Sequence, residues 1–137
     1  MFDCLGIDWG TKKSGIALGS SATFLFIPKD ICLTINLISD IAKYELDYQI
    51  KFLIIGLPFN FQGQDTKITI HIRTFISILK NKFPEIVVNF VNESGTSKES
   101  KNLLDKQKLK NQKILVDSLA AVKILERYFL ENHKKLK

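Results

Sequence analysis

Long apolar runs are missing from this 137-residue chain. No segment approaches the roughly 18 uncharged apolar residues of a membrane-spanning helix. The N-terminus carries Asp3 and Asp8 where a secretory signal would carry a basic region, so a cytoplasmic location is expected. Cysteine is scarce as well: Cys4 and Cys32 lie in neither a C-x-x-C nor a Cys/His cluster, which excludes a disulfide framework and predicts buried thiols in a reducing interior. His71 and His133 stand alone, against a zinc site. There is no internal repeat, low-complexity tract or dividing linker, so residues 1–137 are expected to form a single domain.

What is present suits a compact soluble fold. The hydrophobic content is 45% and the mean hydropathy +0.04. A chain of this length buries roughly two-thirds of the surface its unfolded form exposes and needs no metal or disulfide staple. Twenty basic residues against 14 acidic ones give a net charge of +6 and a pI near 9.3, which favours a polyanionic partner. The excess is almost all lysine.

The element pattern begins with strands near Phe2 to Asp8, Ser14 to Leu18 and Ala22 to Ile27, followed by a helix near Leu33 to Tyr44. Phe52 to Ile55 and Ile86 to Val91 are short apolar strands of the kind covered on both faces. Between them, Lys67 to Arg73 alternates as a strand would, yet Ile68, Ile72, Phe75, Ile76, Leu79 and Phe83 form a helical stripe. Helix is the better reading, because two parallel strands need a crossover between them. Asp117 to Asn132 reads as a final helix opened by Asp117, with Leu119, Ala120, Ala121, Val122, Leu125 and Tyr128 at helical spacing.

Asp8-Trp9-Gly10-Thr11-Lys12-Lys13-Ser14-Gly15 places a carboxylate at the end of an apolar strand, followed by a Gly-bounded turn that can hold a cation against phosphate oxygens. An Asp there can also simply hydrogen-bond its own turn. The D-x-G-T-K-x-x-G pattern resembles the first hairpin of RNase H-like nucleases and, equally, the phosphate-gripping hairpin of actin-like, Hsp70 and sugar-kinase ATPases. The ATPases close two lobes over a nucleotide, and a chain of this length is expected to form only one.

Further landmarks are Gly56-Leu57-Pro58-Phe59-Asn60-Phe61-Gln62-Gly63, Val91-Asn92-Glu93-Ser94, and Asp117-Ser118-Leu119-Ala120-Ala121-Val122-Lys123-Ile124-Leu125. In this order and at these spacings, over essentially the whole chain, they resemble the YqgF (RuvX) family. Its members are RNase H-like proteins described as Holliday junction resolvases and as pre-16S rRNA nucleases. The resemblance implies a five-stranded mixed sheet, three strands antiparallel and two added in parallel, with helices on its faces. It also implies a metal cluster of Asp8, Glu93 and Asp117 for Mg²⁺ or Mn²⁺, with a basic residue at Lys12.

Hard carboxylate oxygens are the ligands those cations prefer, and crowded carboxylates repel one another without a cation. Taken singly, Asp117 reads as a helix-opening acid and Glu93 as a solvated loop acid. Asn60 and Gln62, whose loop is first of all turn punctuation, would touch the nucleic-acid backbone if it flanks the cleft. Thr96 belongs to the hydroxyl pair that follows Glu93. Lys108 and Lys110 belong to a basic stretch from Lys98 to Lys113 that is either a solvated face or a phosphate contact.

The chain departs from the family where relatives read Asp-Glu-Arg: here the residues are Asn92-Glu93-Ser94, losing one charge and one bidentate phosphate donor. The expected activity is metal-dependent phosphodiester hydrolysis in structured RNA, with precursor 16S rRNA as the foremost substrate. A DNA junction resolvase, or a nucleic-acid-binding module with weakened catalysis, is the alternative. No membrane partner is expected.

Overall fold

The computed structural model describes residues 1–58, 66–92 and 113–136, the last span with side chains over 118–132. Strands β1 (Cys4–Asp8), β2 (Lys13–Gly19) and β3 (Phe26–Leu33) form an antiparallel meander. A 3₁₀ turn (Thr34–Asn36) leads into α1 (Leu37–Tyr48), and then come β4 (Phe52–Leu57), α2 (Lys67–Lys82), β5 (Val87–Asn92) and α3 (Lys113–Leu136). The sheet order is β3-β2-β1-β4-β5, with β4 parallel to β1 and β5 parallel to β4. This is the five-stranded mixed sheet of the RNase H-like fold.

Strand periodicity divides the core in two. Successive side chains alternate between faces, so Leu5, Ile7, Ile16, Leu18, Leu53, Ile55 and Leu57 join Leu37 and Ile41 of α1 and Ile72, Phe75, Ile76 and Leu79 of α2. Cys4, Ala17, Ile54 and Val91 face the other way, with Ala121, Val122, Ile124, Leu125, Tyr128 and Phe129 of α3. Each fully buried Leu or Ile contributes about 1.5–3 kcal/mol. Gly6 lies where α3 crosses β1, and a Cβ there would sit 2.6 Å from the Ala121 carbonyl oxygen and 2.7 Å from Leu125 Cγ. Only glycine admits the helix at this depth.

Several expectations need correction. The third strand is Phe26–Leu33, not Ala22 to Ile27. Residues 20–25 form a closed loop, in which the Ser20 N–H bonds the Leu25 carbonyl and the Phe24 N–H the Ser20 carbonyl, each at 2.9 Å. The true strand was hidden because it is an edge. Lys29 and Asp30 are exposed, and the register passes from Ile16↔Asp30 to Ala17↔Pro28, a bulge beside the proline. The first helix accordingly starts at Leu37 instead of Leu33.

β5 is covered only in part on each face: it is the opposite edge, with Val88 buried on the α2 side and Val91 on the α3 side, while Val87 and Phe90 are exposed. In α2 the buried stripe includes Thr69, while Ile68 turns outward. Asp117 does not open the last helix, which begins at Lys113, because Lys113-Ile114-Leu115-Val116 contains no residue that breaks a helical turn. Cys4 is buried as expected, whereas Cys32 is only partly so.

Asp3 anchors the loop after β2. Its carboxylate accepts the Ser21 N–H at 2.9 Å and the Ser21 hydroxyl at 2.6 Å, with the Cys4 thiol at 3.1 Å. Burial raises its pKa, but the donors from Ser21 and Cys4 outweigh that and hold it below the ordinary value. A lowered folded pKa means that this stabilisation is complete above the unfolded value of about 3.9 and is lost as the pH falls through the folded one.

Two expected outcomes follow. Asp3→Ala should lower the unfolding free energy by about 1–2 kcal/mol at pH 7, and the gap should close on acidification below pH 4 in pH-resolved urea titrations. Gly6→Val should cost about 1–3 kcal/mol or more in the same measurement, because α3 must lift from β1.

Candidate active site

Three parallel strands end at one edge of the sheet: β1 at Asp8, β4 at Leu57 and β5 at Asn92. The carboxyl ends of parallel strands are where open α/β sheets bind ligands. Asp8 is half-buried and pairs with Gly15, which in turn pairs with Ile31. Directly paired residues project to the same face. Asp8, Gly15 and Ile31 therefore form one row, and Gly15, lacking a side chain, leaves its middle open. A cleft of about 180 Å³ lies there, lined by Asp8, Gly10, Lys13, Ser14 and Ile31 among others.

The turn beside Asp8 is tightly specified. A Cβ on Gly10 would stand 2.2 Å from the Lys13 carbonyl oxygen, so any other residue forces the turn open. The Gly10 N–H bonds Ser14 Oγ at 3.2 Å, Ser14 Oγ lies 2.7 Å from Thr34 Oγ1, and Thr34 Oγ1 donates to the Gly10 carbonyl at 2.6 Å. Lys12 is exposed on this turn, and its carbonyl accepts the Thr34 N–H at 2.9 Å. On the α2 side, the Trp9 ring lies nearly parallel to that of His71, at 12° and 6.4 Å between centroids. The Trp9 Nε1–H is buried, with no acceptor among the described residues.

The Gly56-Leu57-Pro58 segment is held from α2. Thr66 and Thr69 form a reciprocal capping box at the start of that helix, and the Thr69 hydroxyl also donates to the Pro58 carbonyl. Gly56 and Leu57 are buried within β4 instead of following it.

Helix α3 runs antiparallel to β1. Phe129 meets Phe52, the partner of Cys4, while Ala121 and Leu125 meet Gly6. From Gly6 to Asp8 is about 6.6 Å along a strand. From Ala121 back to Asp117 is one helical turn, about 6 Å. The α3 backbone at Asp117 therefore comes level with the Asp8 end of β1. The other expected site residues, Glu93, Thr96, Asn60, Gln62, Lys108 and Lys110, lie outside the described residues, although Glu93 directly follows Asn92 in the chain. Among the described residues no group of three or more His, Cys, Asp or Glu side chains converges. No described helix is long and apolar enough to cross a membrane.

Sequence reasoning had no hold on Thr34 or His71. Each meets the turn only through the fold, and neither stands in a pattern that marks it.

An acid at a strand end with a cleft and a Gly-bounded basic turn beside it, on an RNase H-like sheet, is the arrangement of an α/β enzyme of the phosphate-handling class. Residues 3–131 match the RuvX family, described as Holliday junction resolvase. The chain belongs to that family and is a nuclease.

A relative from Sulfurihydrogenibium sp. is 33% identical over 90% of this chain and 87% of its own. Another, from Buchnera aphidicola, is 35% identical over 91% and 96%. Both are named "Putative pre-16S rRNA nuclease". The crystal structure of the fowlpox virus Holliday junction resolvase shares the fold, with a TM-score of 0.55 over 96% of this chain and 99% of that one at 15% identity.

Gly10→Ala is expected to lower the unfolding free energy by about 1–2 kcal/mol, because opening the turn strains its hydrogen bonds to buried Ser14 and to Thr34. It should also lower cleavage by at least about tenfold even where the protein is fully folded. Parallel thermal melts and single-turnover assays check this.

Proposed function

We propose that the chain is a metal-dependent nuclease that hydrolyses phosphodiester bonds in structured RNA and trims the ends of precursor 16S rRNA. The observation that carries the reading is Asp8, half-buried at the end of β1 in a cleft beside the Gly10–Lys13 turn. The substrate class rests on the names of relatives that match nearly end to end. The charge of +6 agrees with a polyanionic substrate.

Asp8, Glu93 and Asp117 would hold Mg²⁺ or Mn²⁺, and the donor set fits, since hard divalent cations take carboxylate oxygens. A bound cation supplies Lewis acidity and an activated water for in-line displacement. The rest is the work of the chain's own groups. Asp8, half-buried at a strand end, brings a carboxylate to the cleft it lines. Lys12, exposed on the turn, and Lys13, lining the cleft, neutralise phosphate oxygens. Asn60, Gln62, Thr96, Lys108 and Lys110 extend that contact along the backbone.

A DNA four-way junction is the second reading, favoured by the description of the family. We place the protein in the cytoplasm, where ribosomal RNA is processed, as a single domain.

Asp8→Asn is nearly isosteric and removes one charge. It should abolish cleavage, by at least about 10³-fold, while holding or improving binding, because repulsion between acid and phosphate falls. Wild-type and variant proteins are to be compared on precursor 16S rRNA ends and on four-way DNA junctions, with Mg²⁺, Mn²⁺ or chelator. Full activity in the variant overturns the metal-nuclease reading, and cleavage of the junction alone transfers the substrate to DNA.

A further inference from the structure

The three hydrogen bonds at Gly10 close into a ring whose direction is fully determined. Thr34 has a single hydroxyl proton, and it goes to the Gly10 carbonyl at 2.6 Å. The 2.7 Å contact between the hydroxyls must then be donated by Ser14 to Thr34. Ser14, its own proton committed, accepts the Gly10 N–H at 3.2 Å. Both main-chain polar groups of Gly10 are thus held by two side chains that in turn hold each other.

Ser14 is 1% exposed, so water cannot easily replace these bonds. Thr34 adds a fourth tie, its N–H to the Lys12 carbonyl at 2.9 Å. The Asp8 backbone is seated in the β1–β2 ladder opposite Gly15. The Lys12 backbone is not, since the turn that presents Lys12 lies between the strands, outside the ladder.

We infer that Thr34 and Ser14 are positioning residues for nucleic-acid binding: their closed hydroxyl ring on Gly10 fixes the turn that presents Lys12 to a substrate phosphate. The inference rests on the proposed function for Lys12 as a phosphate contact. It assigns the task of holding that contact to a residue in the 3₁₀ turn beyond β3, outside the Asp8-to-Gly15 hairpin. Thr34→Val keeps the shape and removes the ring, Thr34→Ser keeps the ring, and Ser14→Ala breaks it from the strand side.

The test measures equilibrium binding of the full chain to a structured RNA across a salt series, with chelator present so that cleavage does not intervene. Lys12→Ala should weaken binding roughly 5- to 10-fold near 0.1 M salt and reduce the salt slope by about one unit. Thr34→Val and Ser14→Ala should each reproduce most of that loss, and Thr34→Ser should bind as wild type. Thr34→Val combined with Lys12→Ala should be no weaker than Lys12→Ala alone, because both act through one contact.

Trp9 is the chain's only tryptophan and adjoins Gly10. Its fluorescence should therefore become more open to acrylamide quenching in Thr34→Val and in Ser14→Ala, but not in Thr34→Ser. If Lys12→Ala weakens binding while both ring-breaking variants bind with the wild-type slope, the positioning role is overturned and the proposed function stands. If Lys12→Ala itself changes nothing, the phosphate role of Lys12 falls, and the positioning role with it. Additive losses in the double variant, or unchanged Trp9 quenching in both ring-breaking variants, would also overturn it.

Discussion

The contact of α3 with β1 at Gly6 is the constraint on which the rest of the architecture depends. A helix that approaches a strand until its Ala121 carbonyl would meet any Cβ is packed as closely as the two backbones allow. The two sheet faces then differ in kind. One is covered by a single long helix lying against β1, β2 and β4 through Cys4, Ala17 and Ile54. The other is covered by two shorter helices over larger side chains such as Leu5, Ile7, Leu53, Ile55 and Leu57. With α3 antiparallel to β1 and pinned at Gly6, the N-terminal part of the helix and the carboxyl end of the strand come to the same level. Chemistry at that end is available because packing in the middle allows one register only.

Around that end, rigidity is supplied locally and by different means. Asp8 belongs to the ladder, the Pro58 segment is tied to the capped start of α2 through Thr69, and the Trp9–Lys12 turn is closed by the Ser14 and Thr34 hydroxyls. Thr34 to Gly10 and Thr69 to Pro58 join separate elements, and these bonds satisfy part-buried polar groups that would otherwise cost stability. Among the described residues, Trp9 Nε1 is the one buried side-chain polar atom left without a hydrogen-bond partner.

The legibility of the chain follows the same division. The D-x-G-T-K-x-x-G turn and the amphipathic body of the last helix could be read from sequence because backbone requirements and periodicity are local. Helix α2 was readable against its local alternation because a parallel pair requires a crossover. Edge strand β3 was not readable, since it carries Lys29 and Asp30 in its middle. In contrast, β5 was placed to within one residue and only its burial was overestimated, Val87 and Phe90 being exposed. An edge strand has one neighbour and loses the continuous burial that marks a strand in sequence.

By itself, then, the sequence determined the family, the fold class, the central strands and Asp8 as a candidate acid, because each depends on residues near one another in the chain or on their order. Tertiary structure alone decided that Gly6 must be glycine, that Gly15 opens the row between Asp8 and Ile31, and that Thr34 meets Gly10. Those facts are distances between segments separated by whole elements, and no local pattern encodes a distance.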